Sequence, residues 1–493
     1  MLYLTIGVSL FGKWLCGTPY ILEHNLKLPR PVNQTTYDTT HFRIHYDTSG
    51  SQAVSIEYAR QIAEIAEYSW KTLVDSMGYD APPPDNNAGG DDRYDIHIIE
   101  LTGGVLGYTQ PEGSGPNPNQ EDVYSHIAVD MNLGGYVYST VSHEFMHAIE
   151  FSYTGSDGTW FMENCAVWAE EIVYPDDNQY IGYLSGTGPL KRPNYEITNG
   201  SGSPEYWYAG VVWPLFLMFW ENDTDLIRAI WDTAGLHWGN HTKDDIDAVL
   251  RRDFGDSLEN AMADYAVWRW FVSGRYDNWH WSEANLWPSV MVLRTHHSYP
   301  AAGDEASFPI RGPGGCDFVV FDSWGAADSL HFYFDGQDGP TWDVRVIGYR
   351  GGPSNPSDIY EMDLDANGYG SLAVPTLDYD TLVLVPYCIS WYNTTPDLSF
   401  IYWTDVVGTK EDETAPVVLS GQVRGRTLFF NLPSAGLAKV SLYDATGRLV
   451  QREEALFGQG ENSIMLGPAL LPGIYFWRLE FSGKTIGAVA AFF

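Results

Sequence analysis

The sequence predicts an α+β fold: a small sheet with active-site helices and a helical second half, followed by β-sandwich-like domains. Helix and strand periodicities alternate in the first part of the chain, whereas short strands separated by Gly, Pro and Asp turns dominate from about residue 300. Hydrophobic residues make up 44% of the chain and aromatic residues 15%, which excludes a disordered protein.

Each element of the first part follows from a local pattern. Alternating or continuous apolar runs predict strands at residues 41–46, 94–101 and 125–132. Apolar residues at helical spacing predict helices at 53–77, 136–153 and 160–173, and then at 209–220, 223–233, 244–252 and 258–272. The Gly pair at 134–135 separates the third strand from the helix that follows it.

These elements divide the chain into five predicted parts. A leader occupies 1–28, an N-terminal catalytic subdomain 29–199 and a helical C-terminal catalytic subdomain 200–285. A β-rich accessory domain covers 300–410, and an Ig-like C-terminal domain covers 414–493 after a charged linker. The apolar run from Met1 to Gly12 predicts a signal peptide, although no Lys or Arg precedes it; a mis-assigned start and an N-terminal apolar strand are the alternatives.

Charge and cysteine content exclude several classes of protein. With 27 basic and 64 acidic residues the net charge is −37, so neither nucleic acid nor an anionic membrane is an expected partner. No internal stretch is long and apolar enough to predict a transmembrane segment. Four cysteines cannot form a disulfide scaffold, but Cys316 and Cys388 could pair or remain two buried thiols.

The strongest chemical signal is His-Glu-Phe-Met-His at residues 143–147. On a helix, His143 and His147 lie on one face and can bind the same ion. Glu144 lies beside them and can act as general base toward a water molecule that zinc activates. The pattern is the H-E-x-x-H zinc motif, and the alternative is a helix with two unrelated histidines.

A third metal ligand is expected on the next helix. Glu163 lies 16 positions after His147, beyond a Gly-containing loop that permits the chain to reverse. Two histidines and one glutamate leave an open position on zinc, as catalysis requires. Glu170 and Glu171 are rivals, and Glu170 could instead orient a ligating histidine. Cys165, beside Glu163, is expected to be a core residue.

HEFMHAIEF followed by WFMENCAVWAEE resembles the gluzincin metallopeptidases, in which a Glu after the HExxH motif opens an E-G-x-A-like helix. The chain has Asn164 where many of them have Gly. From HFRIHYDTSG to about Tyr276, about half of the chain resembles a family of secreted bacterial metallopeptidases. The resemblance implies a zincin-like catalytic region. It also implies that Tyr206 or Tyr208, in a Tyr-x-x-Gly-like segment, stabilises the oxyanion, whereas packing is the alternative for either residue.

Calcium is a second possible cofactor. Asp363, Asp365 and Asn367 with Gly368 are similar to the start of a calcium loop, but position twelve is Val374 rather than Glu, which favours a β-turn. The acidic loop Asp85–Asp92 is a further candidate.

The C-terminal strands resemble the sorting domain of substrates of the type nine secretion system. The resemblance rests on KVSLYDATGRLV and on LLPGIYFWRLEFSGKTIGAVA, which reaches almost to the last residue. It implies a secretion machinery as partner and a secreted, extracellular or cell-surface location. The alternative is a generic sandwich appendage.

Together these patterns predict a secreted zinc metallopeptidase that acts on a protein or peptide substrate. The rival hypothesis is a catalytically inactive extracellular binding or adhesion protein on a peptidase-like fold. A structural metal site is disfavoured, because two histidines and one glutamate would leave zinc unsaturated.

Overall fold

A computed structural model describes residues 15–117, 120–198, 205–306, 309–390, 397–408, 420–424, 426–432, 435–445, 448–467, 470–471, 473–481 and 484–492. The chain forms two compact units, Met1–Val407 and Gly408–Phe493. Helices and several sheets are both present, which confirms the predicted α+β class at this level.

A five-stranded sheet organises the first unit, in the order β1-β2-β3-β5-β4. Strands β2, β3 and β5 run parallel to one another, whereas β1 and β4 run antiparallel to their partners. Strand β4 comes last in the order and therefore forms one edge of the sheet. The strands are β1 Thr35–Asp38, β2 Phe42–Tyr46, β3 Tyr94–Ile99, β4 Gly107–Ser114 and β5 Val123–Asp130. The predicted strands at 41–46, 94–101 and 125–132 correspond to β2, β3 and β5, while β1 and β4 were not predicted.

Ten α-helices occur in the described part of the first unit, none of them long and apolar enough to cross a membrane. The first five are α1 Thr18–Glu23, α2 Ile56–Trp70, α3 Val137–Tyr153, α4 Thr159–Val173 and α5 Tyr180–Leu184. The others are α6 Glu205–Tyr208, α7 Val212–Trp220, α8 Leu226–Ala234, α9 Thr242–Val249 and α10 Leu258–Trp268.

Helix α3 is the centre of this unit. It packs against β4 and β5 on one side and against α2, α4 and α8 on others, so every residue except Tyr138 is buried. A helix that is buried all round must have partners for its polar side chains, because an unpaired buried polar group costs roughly 1–3 kcal/mol. The buried histidines and glutamates of α3 therefore need partners, and their contacts define the candidate site.

Residues 15–28 pack onto the sheet in this structure. Ile21 lies in a small apolar cluster with Tyr108 and Ala128, on the side of the sheet away from α3. Cys16 belongs to the main core instead, which contains residues of α3 and α4. The described part of the predicted leader, residues 15–28, thus packs against edge strand β4.

Two antiparallel-rich sheets follow in the same unit, in the orders β11-β10-β13-β8-β6 and β12-β9-β14-β7. Their facing sides share a core that includes Phe332, Phe334 and Leu384. The strands are β6 Arg294–His296, β7 Ala301–Asp304, β8 Val319–Phe321, β9 Ala327–Gly336, β10 Trp342–Tyr349, β11 Asp358–Glu361, β12 Tyr369–Pro375, β13 Thr381–Cys388 and β14 Phe400–Gly408.

Cys316 and Cys388 do not form a disulfide, so the second of the two alternatives holds. Cys316 pairs in the backbone with Tyr387, and its thiol accepts a hydrogen bond from Arg269 at 3.1 Å. Cys388 follows Tyr387 on β13, so its side chain points to the opposite face of that strand, into the sandwich core. Proximity along the strand therefore does not bring the two sulfur atoms together.

The second unit consists of two sheets, β15-β16-β19 and β18-β17-β20-β21. Leu428, Leu442, Trp477 and Leu479 are among the residues of its own core. The strands are β15 Ser420–Arg424, β16 Thr427–Leu432, β17 Gly436–Asp444, β18 Leu449–Phe457, β19 Gly460–Met465, β20 Gly473–Phe481 and β21 Lys484–Phe492.

Candidate metal centre

Four buried side chains converge between α3, α4 and the start of the described chain. They are Cys16, His143, His147 and Glu163, and one ligand atom from each lies within 4.8 Å of the others. His147 Nε2 lies 3.0 Å from Glu163 Oε1 and 3.5 Å from Cys16 Sγ, and His143 Nε2 lies 3.5 Å from Glu163 Oε2. This group could hold a metal ion.

The ligand atoms lack ordinary partners. His143 Nε2 and both oxygens of Glu163 are buried without a hydrogen-bond partner among the described residues. Buried polar atoms are nearly always satisfied, and unsatisfied ones that face one another point to a missing ion or water. The three atoms converge on one point, so a single cation would satisfy all of them.

The other nitrogen of each imidazole is held by a carboxylate. His143 Nδ1 lies 2.8 Å from Glu170 Oε1, and His147 Nδ1 lies 2.7 Å from Glu150 Oε2. An Nδ1–H that donates to a carboxylate leaves the Nε2 lone pair free, which fixes the tautomer a metal requires. Glu170, considered above as a rival ligand, thus lies on the side of His143 that faces away from the convergence point.

Charge within the group favours a cation. Burial would raise the pKa of Glu163, but the imidazoles of His143 and His147 outweigh it and lower the pKa to about 2. Burial opposes protonation of His143, yet Glu163 and Glu170 raise its pKa well above the usual value. Burial also opposes protonation of His147, but the charge of Glu150 outweighs it and raises the pKa of His147. The surrounding carboxylates therefore stabilise positive charge at this point, which a bound cation would supply in place of the imidazole protons.

Glu144 lies on the same helix and is fixed on the sheet side of the site. Its Oε2 accepts hydrogen bonds from Thr109 Oγ1 at 2.8 Å and from Thr18 Oγ1 at 3.2 Å. Gly107 of β4 permits this approach, because a Cβ there would lie 2.8 Å from Glu144 Cγ. The carboxylate can accept a proton from a molecule held in the adjacent cavity.

That cavity has a volume of about 20 Å³, which is room for about one water molecule. His143 and Glu144 of α3 line it, together with Leu15 and Cys16. The complete lining is Leu15, Cys16, Leu106, Ser139, Thr140, His143, Glu144, Glu170, Tyr183 and Tyr208. A peptide cannot enter a space of this size.

The structure separates the two tyrosines that the sequence left open. Tyr208 lines the cavity, its ring centroid lies 6.1 Å from that of His143, and its hydroxyl accepts a hydrogen bond from Cys16 N at 3.0 Å. Tyr206 lies elsewhere, since its hydroxyl donates to the carbonyl of Tyr195 at 3.3 Å. Burial raises the pKa of Tyr208 well above its usual value, so it is a phenol that can donate.

Asn164, the departure from the gluzincin pattern, has a structural contact. Its Nδ2 donates to the carbonyl of Trp207 at 2.8 Å, next to Tyr208. Gly210 leaves room for this amide, since a Cβ there would lie 2.3 Å from Asn164 Nδ2. Asn164 therefore ties α4, which carries Glu163, to the segment that carries Tyr208.

The remaining acidic candidates are engaged locally. Asp85 and Asp91 of the acidic loop form ion pairs with Arg30 at 2.6 Å and with Arg43 at 2.8 Å, respectively. Asp365 accepts backbone N–H groups of its own turn, from Asn367 and Tyr369. These contacts agree with the β-turn interpretation and give no support to calcium. Glu171 lines a different cavity, with Tyr180 and Glu283.

Sequence reasoning missed Cys16, Glu150 and Thr109. Glu150 lies three residues after His147, a spacing that places both on one helical face, so this contact had a readable signal. Cys16 had none, because it lies in a segment assigned to a leader. Thr109 belongs to β4, which the sequence did not predict.

Comparison with known proteins places the chain in no family. No family model matches it, and no curated protein does. Among solved structures, a β-glucuronidase of Bacteroides uniformis matches at 13% identity and TM-score 0.19, covering 43% of this chain and 29% of that one. A β-glucuronidase of Ruminococcus gnavus matches at 11% identity and TM-score 0.16, covering 36% and 34%. The chain thus spans about a third of these enzymes, and the likeness is too weak to carry an argument.

Proposed function

We propose that this protein is a zinc metallopeptidase of the gluzincin type with a zincin-like catalytic region. One observation carries the proposal: the Nε2 atoms of His143 and His147 converge with Glu163, while Glu144 lines the adjoining cavity. His143, His147 and Glu163 would hold the ion.

Zinc suits this set of ligand atoms. Tetrahedral bonds of about 2.0–2.3 Å to nitrogen, oxygen and sulfur place neighbouring ligand atoms about 3.3–3.7 Å apart. The observed separations of 3.0 and 3.5 Å lie near this range. Imidazole and carboxylate with one thiol are ligands that zinc accepts together, whereas magnesium and calcium prefer oxygen alone.

When bound, zinc supplies Lewis acidity, which lowers the pKa of water and polarises a carbonyl group. Glu144 would accept the proton of the attacking water at a carboxylate oxygen and pass it to the leaving amine. Tyr208 would donate its phenolic hydrogen to the oxyanion that develops on the substrate. Glu150 and Glu170 would hold the imidazoles in the required tautomer. Edge strand β4 offers backbone groups that an extended peptide could pair with.

Two measurements on the full chain test this function. Elemental analysis is expected to find about one zinc per chain in the wild type and none in His147→Ala or Glu163→Ala. Zinc-loaded protein is expected to cleave a peptide library, with a loss of about 10²–10⁴-fold in Glu144→Gln at unchanged zinc content. Because Cys16 narrows the cavity, the same comparison is made in a Cys16→Ser parent. Equal cleavage by both members of each pair would refute the role of Glu144.

A second candidate is a structural zinc site. Cys16 supplies the fourth ligand that two histidines and one glutamate lack, so the unsaturation argument against such a site does not hold for this conformation. Loss of zinc and of thermal stability in Cys16→Ser, with no cleavage by any variant, would favour it. Binding of an extracellular protein or glycan without cleavage would favour the inactive adhesion protein.

We also propose that the second unit directs export and that the protein is secreted or displayed on the cell surface. Support comes from the resemblance of its sequence to type nine sorting domains and from its compact sandwich, which has a hydrophobic core of its own. The partner would be the secretion machinery.

A further inference from the structure

The N-terminal residues cover the candidate metal centre. Cys16 is buried, its Sγ lies 3.5 Å from His147 Nε2, and its backbone N–H donates to Tyr208 at 3.0 Å. The buried Nε2 of His143 and the oxygens of Glu163, which lack hydrogen-bond partners, face the same point. With an ion held by His143, His147 and Glu163, the thiol would take the position that a catalytic zinc site keeps open for water and substrate.

The backbone of this segment is bound to the edge of the sheet. Leu106 N donates to the carbonyl of Leu15 at 2.7 Å, and Gly17 N donates to the carbonyl of Gly107 at 2.8 Å. Cys16 and Gly107 form a parallel bridge. The edge groups nearest the site, the Leu106 N–H and the Gly107 carbonyl, are therefore already paired with the protein's own chain.

Both groups assigned to proton transfer and oxyanion binding are also engaged by the segment. Thr18 Oγ1 donates to Glu144 Oε2 at 3.2 Å and accepts from Thr109 N at 2.8 Å. Tyr208 is held by the N–H of Cys16. Residues 15–18 thus contact the candidate ligand His147, the carboxylate of Glu144, the hydroxyl of Tyr208 and edge strand β4. Contacts to all of these groups at once are specific to the candidate site.

We propose that residues 15–23 form an intramolecular inhibitor in which the Cys16 thiolate is the removable fourth ligand of the metal ion. The proposal rests on the proposed function and adds its regulation. Release is a ligand exchange without oxidation or reduction: the bond from Cys16 Sγ to the metal breaks, the thiolate takes one proton from solvent, and a water molecule takes its place.

The residues that join segment 15–23 to the rest of the chain are exposed and therefore accessible to a protease. Glu23, His24, Asn25 and Lys27 are exposed, and Asn25 has a left-handed φ of 48°. Exposed loop residues are preferred sites of proteolysis. A cut after Lys27 would leave Arg30 in its ion pairs with Asp85 and Glu112, so the remaining chain would keep its attachment to the sheet.

Cobalt substitution of the full chain tests the ligand independently of activity. Cobalt-loaded wild type is expected to show the near-ultraviolet charge-transfer band of a cobalt–thiolate bond. Cys16→Ser is expected to lose the band while keeping the ion, and Cys388→Ser, a buried thiol in the sandwich core, is the matched control that keeps it. A band that is absent from the wild type, or that survives in Cys16→Ser, overturns the proposal.

Peptide hydrolysis by the zinc-loaded proteins tests inhibition. If at most a tenth of the wild-type molecules have a free site, Cys16→Ser is expected to cleave about tenfold faster or more. Cleavage of the wild type after Lys27 is expected to give the same gain without any substitution, which guards against a variant that fails to fold. Equal rates for wild type, Cys16→Ser and the cut chain overturn inhibition and leave the proposed function standing. A thiolate band with no cleavage by any form overturns both and leaves a four-ligand structural site.

Discussion

His147 Nδ1 lies 2.7 Å from Glu150 Oε2, one helical turn further along the same buried helix. This contact fixes which nitrogen of His147 faces Glu163 and Cys16. It is formed within α3 alone, so the orientation of this imidazole does not need a hydrogen bond from another element.

Glu150→Gln should therefore weaken zinc binding without removing a ligand. Carboxylates that orient ligating histidines typically contribute 10–100-fold, or about 1.4–2.7 kcal/mol, to metal affinity. The measurement is zinc affinity by competition with a chelator. Glu64→Gln on the exposed face of α2 is the matched control and should bind zinc as tightly as the wild type. Equal affinity of Glu150→Gln and Glu64→Gln would show that the contact does not orient His147.

Gly107→Ala should impair hydrolysis while zinc stays bound. The new Cβ would lie 2.8 Å from Glu144 Cγ and 2.9 Å from Oε1, so the carboxylate must move. Displacing a catalytic group by about 1 Å can cost about 10²-fold in rate. The assay uses the Cys16→Ser parent and compares kcat with zinc content. In Gly135→Ala, the control, a Cβ meets no atom within 4 Å, so it should leave kcat unchanged. A loss of zinc in Gly107→Ala would point to the ligands rather than to Glu144.

Acid should weaken the sheet through Glu112. Burial would raise its pKa, but the hydrogen bonds and charges of His126 and Arg30 outweigh it and lower the pKa from 4.5 to about 2. A depressed folded-state pKa contributes stability that is present above pH 4.5 and is lost as the pH falls toward 2. The shift corresponds to about 3 kcal/mol.

Urea unfolding of wild type and Glu112→Gln at a series of pH values checks this. The wild type should be more stable near neutral pH, and the difference should shrink below pH 4.5. A difference that is independent of pH would mean that Glu112 acts through shape rather than charge.

Removing residues from 414 onward should retain the protein in the producing cell. The first unit, Met1–Val407, has its own cores and should remain folded, with an unchanged far-ultraviolet circular dichroism contribution and unchanged zinc content. Immunoblotting of cells and medium measures the partition. Secretion of the truncated chain at the normal level would contradict the sorting role and favour a plain sandwich appendage.

Whether an element could be predicted from the sequence depends on how strong its local pattern is. Helix α3 was predicted at 136–153 and occurs at Val137–Tyr153. The parallel strands β2, β3 and β5 were also predicted, because alternating or continuous apolar runs mark strands. Strand β4 was missed, since Gly107, Pro111 and Gly113 interrupt any strand pattern. Pro is tolerated there because β4 is an edge strand.

Some residues of the candidate site could also be predicted from a local pattern, whereas others could not. His143, Glu144 and His147 follow from spacing along one helix, and Glu163 follows from a loop that permits reversal. Cys16 could not be derived, because a contact across more than one hundred residues depends on tertiary structure that no local pattern encodes. The choice between Tyr206 and Tyr208 needed the structure for the same reason, since both lie on one short helix.

X-ray diffraction from crystals of the zinc-loaded full chain at the zinc absorption edge shows directly where the ion binds. We expect one strong anomalous-difference peak between Nε2 of His143, Nε2 of His147 and the carboxylate of Glu163. A zinc-loaded crystal with no peak at this point, or with its only peak at other side chains, would contradict the metal assignment and the peptidase mechanism built on it.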